Sequence, residues 1–339
     1  MPAADVPSLR AQANFTRYRA GQRAGHYESF FLRANHPDRP LAFWIRYTIF
    51  SPAGRPDAAV GELWAVSFDA ETGQHVAVKS AVPLTQCTFS PAAFSVRVAD
   101  QAHLEAATAL GAASTNGHTI AWDLAFHGGT EPLLLLPPRL YGTRLPSAKS
   151  LVPMPLAHFT GQLTVDGRAT AIRDWLGSQN HNWGSRHTDH YAWGQVAGFD
   201  GFSESFLEVA TARVKLGPLW TPPMTLLVLR HREQEIALNG LRQSLRARAA
   251  LRYFTWQFHS ADDRYAVTGT ISAPPETFVG LRYPNPPGGA KHCLNSKLGD
   301  CELRISDLRS GRTDVLHAHH RAAFEILTDD RAHGVPIRV

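Results

Sequence analysis

Along most of the chain, apolar side chains alternate with polar ones instead of recurring every three or four residues. Leu41–Phe50, Leu63–Phe68, Thr119–Phe126, Ser205–Thr211 and Tyr253–Phe258 are rich in β-branched and aromatic residues and are bounded by Gly, Pro, Asn or Asp. That is the pattern of strands separated by turns. Asp166-Gly167, between Leu163–Val165 and Ala169–Ile172, predicts a tight hairpin, because both residue types tolerate the positive φ it requires. Asp262-Asp263 predicts a second hairpin, between Tyr253–His259 and Tyr265–Ile271. Only Gln101–Ala113 and Ser8–Arg19 read as short helices. About a dozen short strands without intervening helices predict an all-β chain of sandwiches or barrels and count against a doubly wound nucleotide-binding fold.

Pro-rich breaks fall at Leu136–Pro138, Thr221–Pro223, Pro274-Pro275 and Pro284–Pro287. Trp64–Asp69 and Trp193–Asp200 are loosely alike and sit in the two halves of the chain. They predict two similar β domains with a boundary between Pro155 and His190. We place an N-terminal extension at 1–20, a first domain at 21–185 and a second at 186–339.

Composition narrows the classes. At 44% hydrophobic and 19% charged residues, the 339-residue chain carries enough apolar surface for a large core. The net charge of +5 comes from scattered Arg, with only five Lys and no run of like charge. No nucleic-acid partner is expected. The first residues lack the apolar core of a secretory signal, and the longest apolar runs (Leu133–Leu136, Met224–Leu229) fall far short of the roughly 18 residues of a membrane span. A cytoplasmic protein without a transmembrane segment is expected, with transient membrane contact compatible with it; the oligomeric state is left open. Three cysteines are too few for a disulfide framework, and Cys293 and Cys301 read as buried thiols.

Motif searching excludes more than it finds. There is no Gly-rich phosphate loop, no His-Glu-x-x-His and no Cys-x-x-Cys. Gly201–Ser205 lacks the second glycine of a nucleophile elbow. His317 and His319 share a strand face without a third ligand. No metal and no cofactor are expected. The segment that stands out is Asp174–Gly194, which gathers three Trp, three His and two Asn near the middle of the chain. We read it as a polar–aromatic loop at the domain junction. Buried, such groups cost desolvation unless each finds a partner, so the segment is either a hydrogen-bonded structural corner or a site. A metal site from His181, His187, His190 and Asp189 is disfavoured, because His187 and His190 would point to opposite faces of a strand.

His181-Asn-Trp-Gly184, preceded by Gly177 and followed by Trp193-Gly194, resembles the central signature of the tandem lipocalin-like proteins. That group includes the carotenoid 1,2-hydratases (hydroxyneurosporene synthases) and, more distantly, tocopherol cyclase-like proteins and fungal Diels–Alderases. Gly25–Ser29, Phe43–Tyr47, Tyr283–Pro286 and Cys293–Ser296 match loosely, so the resemblance spans residue 20 to the end. It implies two calycin-type antiparallel barrels or open sandwiches in tandem. The family's His-x-Trp pair falls on His181 and Trp183. Its Tyr-x-Asp pair has no faithful counterpart, the best match being Phe206-Leu-Glu208, and Asn180 stands where an Asp often precedes the His.

These residues suggest a cofactor-independent hydratase or cyclase acting on a hydrophobic isoprenoid- or polyketide-like molecule at the domain junction. A carboxylic acid in an apolar site has its pKa raised and can protonate an alkene. Glu208 is the candidate acid and Glu204 the second; Trp183 or Trp193 would stabilise a carbocation through its ring face, His181 would orient water, and Tyr191 would assist. Asn180, Asn182, Tyr191, Trp193, Glu204 and Phe206 are the expected substrate-binding residues. A positioning-driven pericyclic reaction and a non-catalytic carrier of a hydrophobic small molecule are the alternatives.

Overall fold

The structure is a computed structural model that describes residues 5–339. It consists almost wholly of antiparallel strands in two large sheets, and the few helices are a turn or two long. The twelve-stranded first sheet runs from an edge at Val76–Pro83 through Val60–Asp69, Leu41–Ser51 and His26–Asn35. It continues through Arg168–Gly184, Ala148–Val165, His118–Gly128 and Thr108–Thr115 to its far edge at Cys87–Phe89. The sheet curls until its Val76–Pro83 edge meets Thr108–Thr115: the Lys79 N–H donates to Thr115 Oγ1 (2.8 Å) and the Ser114 N–H to Ser80 Oγ (3.0 Å). Curling removes most of the exposed edge.

The second sheet repeats the plan with ten strands. In each sheet the long first strand pairs with the long last one: His26–Asn35 with Arg168–Gly184, and His190–Phe199 with Thr313–Thr328. Each sheet fills its concave side with its own core, around Phe43, Tyr47 and Trp122 in the first and Trp256, Phe258 and Phe324 in the second. The sheets also pack against one another. Phe31, Trp44 and Trp64 from the first meet Trp193, Leu281, Tyr283 and Leu327 from the second. Strand His26–Asn35 is therefore buried on both faces along its whole length. None of the helices among the described residues is long and apolar enough to cross a membrane.

Both predicted hairpins form. Asp166 (φ 48°) and Gly167 (φ 81°) link Ala148–Val165 to Arg168–Gly184, and 262–264 link Thr255–Ala261 to Tyr265–Ser272. Four expectations are corrected. Gln101–Ala113 is not a helix but two strands, Ala102–Glu105 and Thr108–Thr115. Within each strand the buried positions, Ala102 and Leu104, then Ala109, Gly111 and Ala113, keep a period of two, and packing overrides the helix propensity of alanine. At Gly111 a Cβ would lie 2.7 Å from the Trp122 ring, so the strand must present glycine there. The N-terminal helix covers only Val6–Ala11. Asp174–Gly194 is not a loop: it comprises the end of one strand, a connector at 185–189 and the start of the next. Trp64–Asp69 and Trp193–Asp200, expected as counterparts, lie on the third strand of one sheet and the first strand of the other.

Candidate functional site

Because Asp174–Gly194 is strand, its side chains alternate between two layers. Ser178 and Asn180 face the layer between the sheets; Gln179, His181 and Trp183 face the first barrel's interior. The residues singled out from sequence are thereby divided between two buried polar clusters.

The first cluster lies between the sheets around Glu208, which is 1% exposed. Its Oε1 accepts from Trp193 Nε1 (2.8 Å) and its Oε2 from Gln195 Nε2 (2.8 Å). Gln195 Nε2 also donates to Asn180 Oδ1 (2.7 Å), and Gln195 Oε1 accepts from Ser178 Oγ (2.6 Å) and Arg33 Nε (2.8 Å). Arg33, fully buried, donates in addition to Asn35 Oδ1 and the Arg321 carbonyl. Burial pushes the Glu208 carboxyl up to about 7, against the hydrogen bonds from Trp193 and Gln195 and the Arg33 charge, which pull it down. Such a group is half protonated near neutrality, the condition for proton transfer in either direction.

Charge and aromatic surface continue away from Glu208. Lys297 Nζ lies 5.3 Å from the Trp193 ring centre and 5.9 Å from that of Trp44, and donates to Glu325 Oε1 (2.7 Å). The Arg46 guanidinium lies 4.7 Å from the Tyr283 ring, with Trp44 and Trp64 at 5.8 and 5.9 Å. Tyr27, Tyr191 and Tyr283 meet here, and burial raises all three hydroxyl pKa values. Trp44 Nε1, Asn182 Oδ1 and Asn295 Nδ2 are buried without a hydrogen-bond partner. Three such atoms near one layer are unusual, since a buried unpaired polar atom costs about 1–3 kcal/mol.

The second cluster lies inside the first barrel. His181 is fully buried; its Nε2 meets Glu28 Oε1 (2.9 Å) and its Nδ1 meets the Ala13 carbonyl (2.6 Å). The ring stacks on Phe30 (4.2 Å) and lies 4.8 Å from Trp183. Glu28 also bonds His26 Nε2 (3.0 Å), Thr16 Oγ1 (2.9 Å) and the N–H groups of Arg17 and Tyr18. Burial alone would raise the Glu28 carboxyl, but hydrogen bonds from His181 and His26 outweigh it and hold the group at about 2. This cluster fastens residues 13–18 across the barrel.

Of the residues picked from sequence, Asn180, Trp193 and Glu208 join one hydrogen-bonded network. Tyr191 lies half-buried in the same layer, and Phe206 packs beside it with Leu133, Val152 and Val228. Asn182 is half-buried with its Oδ1 unpaired. His181 and Trp183 are on the other face of their strand, and Glu204 is exposed at the start of its own. His181, Trp183 and Glu208 therefore do not converge as expected, and Glu204 cannot serve as a buried acid. The three histidines of the disfavoured metal site diverge, His187 meeting the Pro284 carbonyl. Among the described residues, no group of three His, Cys, Asp or Glu side chains could hold a metal.

Sequence reading missed Arg33, Gln195, Lys297, Glu325 and Glu28. A signal existed for two of them: Glu28 and Arg33 are charged residues in His26–Asn35, a strand whose apolar Phe30, Phe31 and Leu32 show no solvent-facing alternation.

A family model described as tocopherol cyclase-like matches residues 147–326. A search of curated proteins finds no match to the sequence. Among solved structures, the chain is similar to a protein described as AttH from Nitrosomonas europaea (TM-score 0.59, 11% identity, covering 97% of this chain and 98% of that one). It is also similar to kievitone hydratase from Nectria haematococca (TM-score 0.54, 11% identity, 90% and 89%). CghA follows at a TM-score of 0.50 and 11% identity, with 90% and 88% covered. At this identity the structures establish a shared fold.

Proposed function

The chain belongs to the tocopherol cyclase-like family, and from that premise we propose that it catalyses a proton-initiated cyclisation or hydration of a hydrophobic alkene between its two sheets, with Glu208 as the acid. The observation that carries the reading is a fully buried carboxyl near pKa 7, held by Trp193 and Gln195 among aromatic rings.

The Glu208 carboxyl transfers its proton to the less substituted alkene carbon, leaving a tertiary carbocation and a carboxylate. The Trp193 ring face stabilises the cation, and the N–H donors of Trp193 and Gln195 stabilise the carboxylate. Gln195 Nε2 has Asn180 Oδ1 as a second acceptor, so it stays partnered when Glu208 is protonated. A substrate hydroxyl or a water molecule then adds to the cation, and its proton returns to Glu208. The cycle is redox-neutral and leaves the acid regenerated. The substrate class that suits these groups is a long or bulky isoprenoid- or polyketide-type molecule.

The test is deuterium incorporation. Incubated in D₂O with a panel of polyprenyl alkenes and prenylated phenols, the protein should convert at least one into a product carrying deuterium at the protonated carbon. Glu208→Gln should lose the incorporation while still binding the substrate. Undiminished incorporation by the variant would remove Glu208 from the mechanism, and saturable binding without turnover by the unaltered protein would identify a carrier.

A further inference from the structure

At one end of the inter-sheet layer lies a solvent-open pocket of about 500 Å³. Its wall carries three cations, Arg186, Lys215 and Lys291, against two carboxylates, Asp189 and Asp329. The carboxylates hold two of the cations in place. Asp189 Oδ2 accepts from Arg186 Nη2 (2.6 Å) and from the backbone N–H of Lys215 (2.8 Å), whose ammonium is paired by neither carboxylate. Lys291 Nζ donates to Asp329 Oδ2 (2.8 Å) and to the Asp189 carbonyl (2.9 Å). Lys291 is only 6% exposed, so its ammonium is a fixed donor rather than a mobile surface charge. One positive charge is left in excess. Gly288 and Gly289 also line the pocket at positive φ, with open space where a Cβ would be, so their backbone is bare to an occupant.

The pocket adjoins the aromatic layer. Lys291 is in register with Tyr283 and shares a strand face with Cys293 and Lys297. His187, between Arg186 and Asp189 in the chain, stacks its ring on Tyr27 (4.1 Å) and lies 5.6 Å from Tyr283. One imidazole ring thus stands between the charged pocket and the tyrosines. We infer that this pocket binds the anionic head group, a carboxylate or a phosphate, of an amphiphilic ligand whose apolar chain passes His187 into the inter-sheet layer. Only the placement of the chain rests on the proposed function; the head-group site stands on the pocket's own charges. Cations at a wet rim beside an apolar interior suit such a ligand, because its charge stays partly hydrated while its chain is buried.

The test uses three probes sharing one prenyl chain, farnesol, farnesoic acid and farnesyl monophosphate, titrated into the full-length protein by tryptophan fluorescence. Trp220, beside Lys215, reports on the pocket. The acid or the phosphate should bind about tenfold more tightly than the alcohol, and the tighter of the two identifies the head group. Arg186→Glu with Lys215→Glu should abolish the preference and leave the alcohol's affinity unchanged, with unaltered melting as the folding control. Equal affinities, no saturable binding, or a preference surviving both charge reversals would overturn the inference. Glu208→Gln separates the two ideas: it should leave the head-group preference intact, whatever it does to turnover.

Discussion

Trp193 and Glu208 are joined by a 2.8 Å hydrogen bond although they are not partners in the ladder: Glu208 is in register with Gln195, and Trp193 with Ala210. The indole reaches diagonally along the face of the sheet while Gln195 reaches straight across, so each carboxylate oxygen has its own donor. Two neighbours on one strand thereby set both the orientation and the acidity of the carboxyl.

Trp193→Phe tests the diagonal bond. It keeps the aromatic face but removes a donor that favours the carboxylate, so the Glu208 pKa should rise further above about 7. The alkaline limb of the pH–rate profile, where the rate falls as Glu208 loses its proton, should move to higher pH by roughly one unit, the scale of one hydrogen bond. An unmoved profile would mean that the titrating group is not Glu208.

Glu208 and Glu28 should give opposite slopes of stability against pH. The folded-state pKa of Glu208 lies near 7, above the ordinary 4.5, so the folded protein binds more protons between these values and loses stability as pH rises through them. Glu28, held at about 2, contributes stability that is present above 4.5 and lost as pH falls toward 2. Chemical denaturation between pH 4.5 and 8 should show Glu208→Gln abolishing a decline worth about 3 kcal/mol.

His181→Ala should act on folding, not on proton transfer. It removes the buried His181 partner of Glu28 Oε1 and releases the Ala13 carbonyl. A loss of about 3 kcal/mol is expected, since one partner of a buried pair is removed. Faster hydrogen exchange in residues 13–18 should accompany it. The pH dependence assigned to Glu208 should not change, because His181 faces the other layer.

Gly177→Ala tests how closely the central strands approach. A Cβ there would lie 1.8 Å from the Arg33 carbonyl oxygen and 2.6 Å from Ala34 Cα, both backbone atoms that cannot swing aside. We expect destabilisation of about 3 kcal/mol or more by thermal unfolding, together with displacement of Arg33 from Gln195.

Strand formation was legible in the chain because it depends on neighbours in sequence. The period of two and the Asp-Gly turn at 166–167 were written locally. Even the failure at Gln101–Ala113 is instructive: alanine favours helix in isolation, while the spacing of Ala102, Leu104, Ala109 and Ala113 decides what a sheet can bury. The unusual chemistry of Asp174–Gly194 was legible too, as a concentration of polar and aromatic groups.

What the chain could not disclose alone is which layer each face of a strand would meet. Alternation separates Asn180 from His181, but only long-range register gives Asn180 a partner in Gln195 and His181 a partner in Glu28. Arg33 and Gln195 lie 162 positions apart and Lys297 and Glu325 28, so no local pattern could pair them. Local periodicity thus fixed the strands. The electrostatics of Glu208 arose only when two sheets closed over it and excluded water, because desolvation belongs to the assembled layer and to no single segment.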